Sequence, residues 1–273
     1  MEYVQTIQQL IGNTPLIEIQ HFDVPNNVRI FAKLEYFNPG GSIKDRLGVY
    51  LIQDAMKKGK LSKGGTIIEP TAGNTGIGLA IAAIGLGVHV IFVTPEKFSQ
   101  EKQELMRALG ATVINTPTRL GMQGAINKVE ELLQEIPSSY SPSQFSNHAN
   151  PETYYFTLGP EIDRQLEGKI DVFVAGAGSG GTFMGTSTYL KEKHPHIKTV
   201  IVEPEGSILN GGKASSHDTE GIGMEFLPSF MDTTYFDAIH TISDQEAFHY
   251  VKELAKRTGY LVVNSSGDAC RPG

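Results

Sequence analysis

Short apolar runs alternate along this chain with longer stretches whose apolar positions recur every three to four residues. The short runs predict strands at RIFAKL (29–34), TIIE (66–69), VHVIFV (88–93), ATVINT (111–116), DVFVAG (171–176), KTVIVE (198–203) and YLVV (260–263). The periodic stretches predict helices between them. One carries Leu47, Leu51, Ile52 and Ala55 on a single face and stops at Gly59. GIGLAIAAIGLG (76–87) is apolar on every side, which marks a buried helix. Ser99 opens a helix that Gly110 closes, and others cover about 123–135 and TFMGTSTYLKEK (182–193). A capping box of Ser243 and Glu246 opens a last helix to about Arg257.

This βαβα rhythm predicts an α/β fold of open parallel sheets with right-handed crossovers. The 273 residues favour two such sheets over one. Composition fits a globular chain with real cores, at 40% hydrophobic residues. The net charge of −7, without any basic run, argues against nucleic acid or an anionic membrane as a partner. The longest apolar stretch, LAIAAIGLGVHVIFV (79–93), is broken by glycines and His89 and falls short of the ~18 residues a membrane span needs. MEYVQTIQQL lacks the basic-then-apolar pattern of a signal peptide. The one cysteine, Cys270, excludes an intrachain disulfide, and a cytoplasmic location is the resulting expectation.

Parallel sheets bind ligands beyond the carboxyl ends of their strands, so the loops after Glu69, Val93 and Val174 come first. AGAGSGG (175–181) satisfies G-x-G-x-x-G with Gly176, Gly178 and Gly181, between a strand and a helix. Glu203 follows 22 residues later, near where a ribose-binding acid would sit in a dinucleotide fold. Amides at a glycine-rich helix start bind phosphate whatever molecule carries it, and several βαβ units precede this one. The motif therefore supports a phosphate more strongly than a dinucleotide. In EPTAGNTG (69–76), hydroxyls, an amide and free helix N–H groups converge on one anion-friendly point.

NPGGSIKDR (38–46) poses a different question. Ser42 and Asp45 have the spacing of a capping box, but Lys44 puts an ammonium at the positive end of a helix dipole. Dipole and burial together would favour a neutral amine, the form that attacks carbonyls and later accepts a proton. Gly40 and Gly41 leave room around it. The cofactor that joins a lysine through an aldehyde and carries one phosphate is pyridoxal phosphate. NSSG (264–267) reads as a turn, the eight histidines show no ligand spacing, and GGKASS (211–216) lacks the upstream glycine of a Walker motif. No metal site is expected.

Taken in order, IGNTPLIEI (11–19), KLEYFNPGGSIKDR (33–46), EPTAGNTGIGLA (69–80), SPSQFSN (141–147), AGAGSGGT (175–182), VEPEGSIL (202–209), EGIG (220–223) and SSG (265–267) resemble the cysteine synthase/cystathionine β-synthase family, the fold type II pyridoxal-phosphate enzymes. The resemblance covers nearly the whole chain. It implies two α/β domains with the cofactor in the cleft between them. The smaller would be 41–149, and the larger would combine 1–40 with 150–273. It implies that Lys44 carries the cofactor as an aldimine and that Asn74 bonds the pyridine hydroxyl. Gly178, Ser179, Gly180, Gly181 and Thr182 would cradle the phosphate, and Ser265 would meet the pyridine nitrogen. Thr71, Ala72, Gly73, Thr75 and Gln144 would bind the amino-acid carboxylate, with Gly221 and Gly223 lining the substrate side.

The implied reaction is β-replacement on O-acetyl-L-serine or serine through an aminoacrylate, with Lys44 moving the α-proton. Homocysteine as acceptor gives cystathionine and sulfide gives cysteine. EGSIL and Ala72 lean toward cystathionine, because cysteine synthases usually have serine in place of Ala72. The alternatives are cysteine synthase as the sole activity, or an impaired homologue that only binds. A homodimer is also implied. The family pattern continues beyond SSG with a helix and more sheet, whereas this chain reads SSGDACRPG. The expectation is therefore a truncated or altered C-terminus and an incomplete larger domain.

Overall fold

The computed structural model describes residue 1, residues 3–71 and residues 73–262. The chain divides into two compact units. One comprises Met1–Asn13 and Glu35–Ala149; the other comprises Thr14–Leu34 and the chain from Asn150 onward. Among the described residues, no helix is long and apolar enough to cross a membrane.

In the first unit, α1 (Lys44–Lys57) is followed by β3 (Thr66–Pro70), α2 (Asn74–Ala83), β4 (His89–Pro95), α3 (Gln100–Ala108), β5 (Thr112–Thr116), α4 (Gly121–Glu135) and β6 (Ser139–Tyr140). The strands form one parallel sheet in the order β5-β4-β3-β6. The chain thus builds outward from β3 through β4 to β5, then returns to the other side of β3. That reversal is a topological switch point, where loops after neighbouring strands part and leave a crevice.

Ile68 and Val93 pack with Ala125, Val129 and Leu132 of α4. The alternate positions Ile67 and Phe92, fully buried, face the other side of the sheet. Residues 75–83 of α2 are all buried, as the unbroken apolar run predicts. Leu47, Leu51 and Ile52 of α1 are also buried, each stabilising by about 1.5–3 kcal/mol. α1 and α2 touch through glycines: a Cβ on Gly48 would overlap the Gly78 carbonyl and come within 2.7 Å of the Leu79 nitrogen. A Cβ on Gly78 would lie 2.7 Å from the Lys44 carbonyl carbon.

In the second unit, β1 (Leu16–Ile19) and β2 (Ile30–Lys33) form an antiparallel pair. A parallel sheet in the order β7-β8-β9 uses Val172–Gly176, Lys198–Pro204 and Ala238–Ile242. The core of α7 (Gly181–Lys193) and its loops gathers Phe183, Met184, Ile201, Met224, Phe230 and Met231. The expected capping box of α8 (Asp244–Thr258) is formed, with the Ser243 hydroxyl accepting from the Glu246 N–H at 3.3 Å and the Glu246 carboxylate accepting from the Ser243 N–H at 3.1 Å. Lys33 and Glu161 make an ion pair with little solvent access, which ties β2 to the helix Leu158–Gln165.

Several elements differ from the sequence pattern. Helices α5 (Ala149–Phe156) and α6 (Leu158–Gln165) are not legible in it. Pro151 and Pro160 interrupt their periodicity, yet each lies in a first turn, where no helical N–H is lost. β1, β6 and β9 also do not stand out in the pattern; β6 is only two residues long, and His240 and Thr241 break the apolar run of β9. Residues 260–262 are not a strand, and Val263 lies outside the described residues.

Gly48→Ala tests the helix contact. Helix propensity alone would stabilise the variant by about 1 kcal/mol. Overlap with the Gly78 backbone instead makes a net loss of about 1–3 kcal/mol the expected outcome in chemical denaturation.

Candidate active site

Lys44 is the first residue of α1. Its helix start is built differently from the spacing of Ser42 and Asp45. The Ser42 hydroxyl accepts from the Lys44 N–H at 3.2 Å, and no side chain caps the N-cap residue Ile43. The Asp45 carboxylate turns back to accept from the Gly40 N–H instead of closing a capping box. The missing Cβ of Gly40 makes room for the Asp45 carboxylate and Ile81. Gly41, at φ +76°, has nothing within contact distance of a Cβ and is needed for its left-handed backbone.

The segment before α1 is fastened by charge. Arg46 grips Glu35 with two parallel hydrogen bonds of 2.8 Å, and Asn38 donates to the same carboxylate at 2.9 Å. The Gly12 N–H donates to the Asn38 side chain at 2.8 Å. Burial lifts the Asp45 pKa to about 6, with Glu35 adding to the rise and the Gly40 N–H opposing it. Lys44 keeps part of its surface, yet burial around its amine lowers its pKa from 10.5 to about 8.

The loops at the switch point come next. Strand β3 runs into Thr71, whose N–H donates to the Val93 carbonyl at 3.1 Å, and Gly73 precedes α2 at its N-cap. Asn74 and Thr75 then occupy the first turn of α2, where helix N–H groups lack intrahelical acceptors. Across the switch point, the loop after β6 carries Gln144. The Thr75 hydroxyl donates to the Gln144 side-chain carbonyl at 2.9 Å, and both residues are buried. Glu69, 1% exposed, ends the apolar run of β3. Its carboxylate accepts from the Ser141 hydroxyl at 2.8 Å and from the N–H groups of Ser143 at 2.9 Å and Gln144 at 3.2 Å.

In the second unit, β7 opens into Gly178-Ser179-Gly180 ahead of α7. The glycines are sterically required. A Cβ on Gly178 would overlap the Gly221 carbonyl oxygen, one on Gly180 the Met231 sulfur, and one on Gly181 the Asn150 side chain. Gly180 also has φ +82°. The fully buried Asn150 donates to the Ser179 hydroxyl at 3.0 Å. Gly181 and Thr182 lie in the first turn of a 13-residue helix, so their N–H groups and the Thr182 hydroxyl suit a phosphate. Gly221 and Gly223 both have positive φ, and the Gly223 N–H donates to the Ala177 carbonyl at 2.8 Å, holding this strip against the phosphate-type loop.

Within the first unit, Thr71, Gly73, Asn74, Thr75 and Gln144 come together around the switch point, with Lys44 on the helix packed against α2. Within the second, Gly178–Thr182 meet Gly221 and Gly223. Ala72 and Ser265 lie outside the described residues. Glu203 is no ribose ligand. Its carboxylate accepts from the N–H groups of Leu209 at 2.8 Å and Asn210 at 2.9 Å and from the Thr241 hydroxyl at 3.1 Å. Neither Asn150 nor the loop-holding role of Glu69 stands out in the sequence pattern, and Asp45 serves Gly40 rather than a capping box. One signal was present for Glu69: an apolar run ending in Glu-Pro occurs twice, as IIEP (67–70) and IVEP (201–204).

A family model described as "Pyridoxal-phosphate dependent enzyme" matches residues 7–270. The chain is 59% identical over 269 residues to the O-acetylserine dependent cystathionine beta-synthase of Bacillus subtilis, covering 98% of this chain and 88% of that protein. It is 56% identical over 271 residues to a cysteine synthase of Helicobacter pylori, covering 98% and 89%. Among solved structures, an O-acetylserine dependent cystathionine beta-synthase from Helicobacter pylori superimposes with a TM-score of 0.94 at 55% identity, over 98% of this chain and 89% of that one.

The lowered pKa of Lys44 gives a direct expectation. Below pH 8 the amine is mostly protonated and unreactive; above it the neutral form dominates. Acylation of Lys44 in cofactor-free protein, followed by peptide mass spectrometry, should rise with pH to a plateau with a midpoint near 8. A midpoint at the ordinary value of 10.5 would contradict the desolvated site.

Proposed function

The chain belongs to the pyridoxal-phosphate dependent enzyme family, and we propose that it catalyses β-replacement on O-acetyl-L-serine with homocysteine as sulfur acceptor, giving cystathionine. The observation that carries this reading is the desolvated amine of Lys44, whose helix a glycine crossing packs against the helix that begins at Asn74. A lysine with a pKa of about 8 serves as a proton acceptor near neutral pH, and an ordinary surface lysine does not.

The residues present fit the cofactor. Gly178, Ser179, Gly180, Gly181 and Thr182 would hold its phosphate, Asn74 would bond its ring hydroxyl and Lys44 would carry it. When bound, pyridoxal phosphate withdraws electron density from the α-carbon of an attached amino acid, so that the α-proton and a β leaving group can depart. The other steps belong to the chain itself. Thr71, Gly73, Thr75 and Gln144 bind the substrate carboxylate through hydroxyl, amide and backbone N–H donors, as the start of α2 favours. Lys44 takes the α-proton and returns it after the acceptor adds, and holding it beside the substrate makes the transfer effectively intramolecular. Ala72 and Ser265 complete the set assigned from the sequence, as carboxylate and pyridine-nitrogen neighbours. Gly221 and Gly223 line the substrate side. A homodimer and a cytoplasmic location belong to the same reading.

A second reading, cysteine synthase with sulfide as acceptor, is supported by the relative that bears that name at 56% identity. Ala72 favours the first. It supplies no hydroxyl donor to the carboxylate, a difference of about 1.5–3 kcal/mol if nothing replaces that bond. Steady-state rates on O-acetylserine with homocysteine and with sulfide decide between them. Homocysteine should give the higher kcat/KM. A higher value with sulfide would reverse the assignment, and no turnover with either would overturn both.

A further inference from the structure

We propose that Glu69 is a positioning residue for the substrate-carboxylate site, setting Gln144 by anchoring the loop after β6. The inference rests on the reading of Thr75 and Gln144 as substrate-binding residues. Strand β6 pairs with β3 only at Thr66–Ser139 and Ile67–Tyr140. Beyond Tyr140 the backbone ladder ends, and the Glu69 side chain takes over its work. One carboxylate oxygen accepts from the Ser141 hydroxyl and the Ser143 N–H; the other accepts from the Gln144 N–H. Ser143 is held at φ +51°, a left-handed conformation that a serine adopts at a cost. That conformation aims both N–H groups at one carboxylate, and the Gln144 side chain then reaches Thr75.

A buried carboxylate costs free energy unless hydrogen bonds satisfy it. Burial raises the Glu69 pKa, and the three donors pull it back down. An apolar residue here would leave these three donors without their acceptor, so the acid's contribution is to orient the loop that carries them. The second unit repeats the device: Glu203, at the end of β8, takes two consecutive loop N–H groups and a threonine hydroxyl. Glu69 differs in that the residue it fixes also closes on Thr75.

Glu69→Gln keeps the size but sets an amide NH2 against one of the donors. The cofactor's visible absorbance should be unchanged. KM for O-acetylserine should rise about tenfold, the scale of one misplaced buried hydrogen bond, with kcat at saturation nearly preserved. Hydrogen exchange of peptide 141–147 should quicken. If Glu69 acts through Gln144, adding Glu69→Gln to Gln144→Ala should raise KM no further than Gln144→Ala does alone. Should Glu69→Gln fail to fold, Ser141→Ala removes one of the three donors and should raise KM about threefold. An unchanged KM in a folded variant, a fall in kcat alone, or unchanged exchange in 141–147 would overturn the anchoring. Faster exchange in Glu69→Gln with no KM change in Gln144→Ala would overturn the substrate role of Gln144 instead, and the inference with it.

Discussion

The contact between Gly48 and Gly78 is the constraint on which the first unit's chemistry depends. Neither position can accept a Cβ without displacing backbone. Two helices that meet at backbone distance fix each other's register and rotation. The register chosen here lays the Lys44 carbonyl against α2, one turn from Asn74. Everything proposed for Lys44 then follows from where this crossing puts it. The amine on this helix is desolvated, and its pKa is lowered accordingly. The Lys44 backbone lies beside the first turns of α2 because the crossing point is only one turn along each helix.

A second feature complements the first. Each unit ends one strand of its parallel sheet with a buried glutamate, and each glutamate spends its oxygens on loop N–H groups. Loops at the carboxyl ends of strands carry binding groups, but they lack a ladder to hold them. A carboxylate accepting several donors supplies a substitute ladder of fixed geometry. In the first unit this occurs at the switch point itself, where β6 is only two residues long and could not hold its loop through pairing alone.

Much of this was legible in the sequence, and the division has a physical basis. Most strands and helices of the two parallel sheets follow from local periodicity, β6, β9, α5 and α6 being the exceptions. The glycine loop 178–181 and the TAGNT turn stand out because their chemistry is concentrated in adjacent residues. Lys44 was legible because a charge at the wrong end of a helix is a local contradiction. Gln144 could be assigned only through family resemblance, since nothing near it in sequence marks it. Gly48 and Gly78 stand 30 positions apart with nothing in the sequence to pair them, and only packing reveals that they meet. Glu69 read as the end of a strand, because its partners lie more than 70 residues downstream. Asp45 read as a cap, and the competing Gly40 N–H was not foreseeable from spacing alone.

The central claim is that Lys44 is the residue that carries the cofactor. Borohydride reduction of protein purified with its cofactor would fix that bond, and peptide mass spectrometry would locate it. The account predicts one cofactor adduct per chain, on the peptide containing Lys44. A reduced adduct on any other lysine, or a loaded protein with no adduct at Lys44, would contradict it.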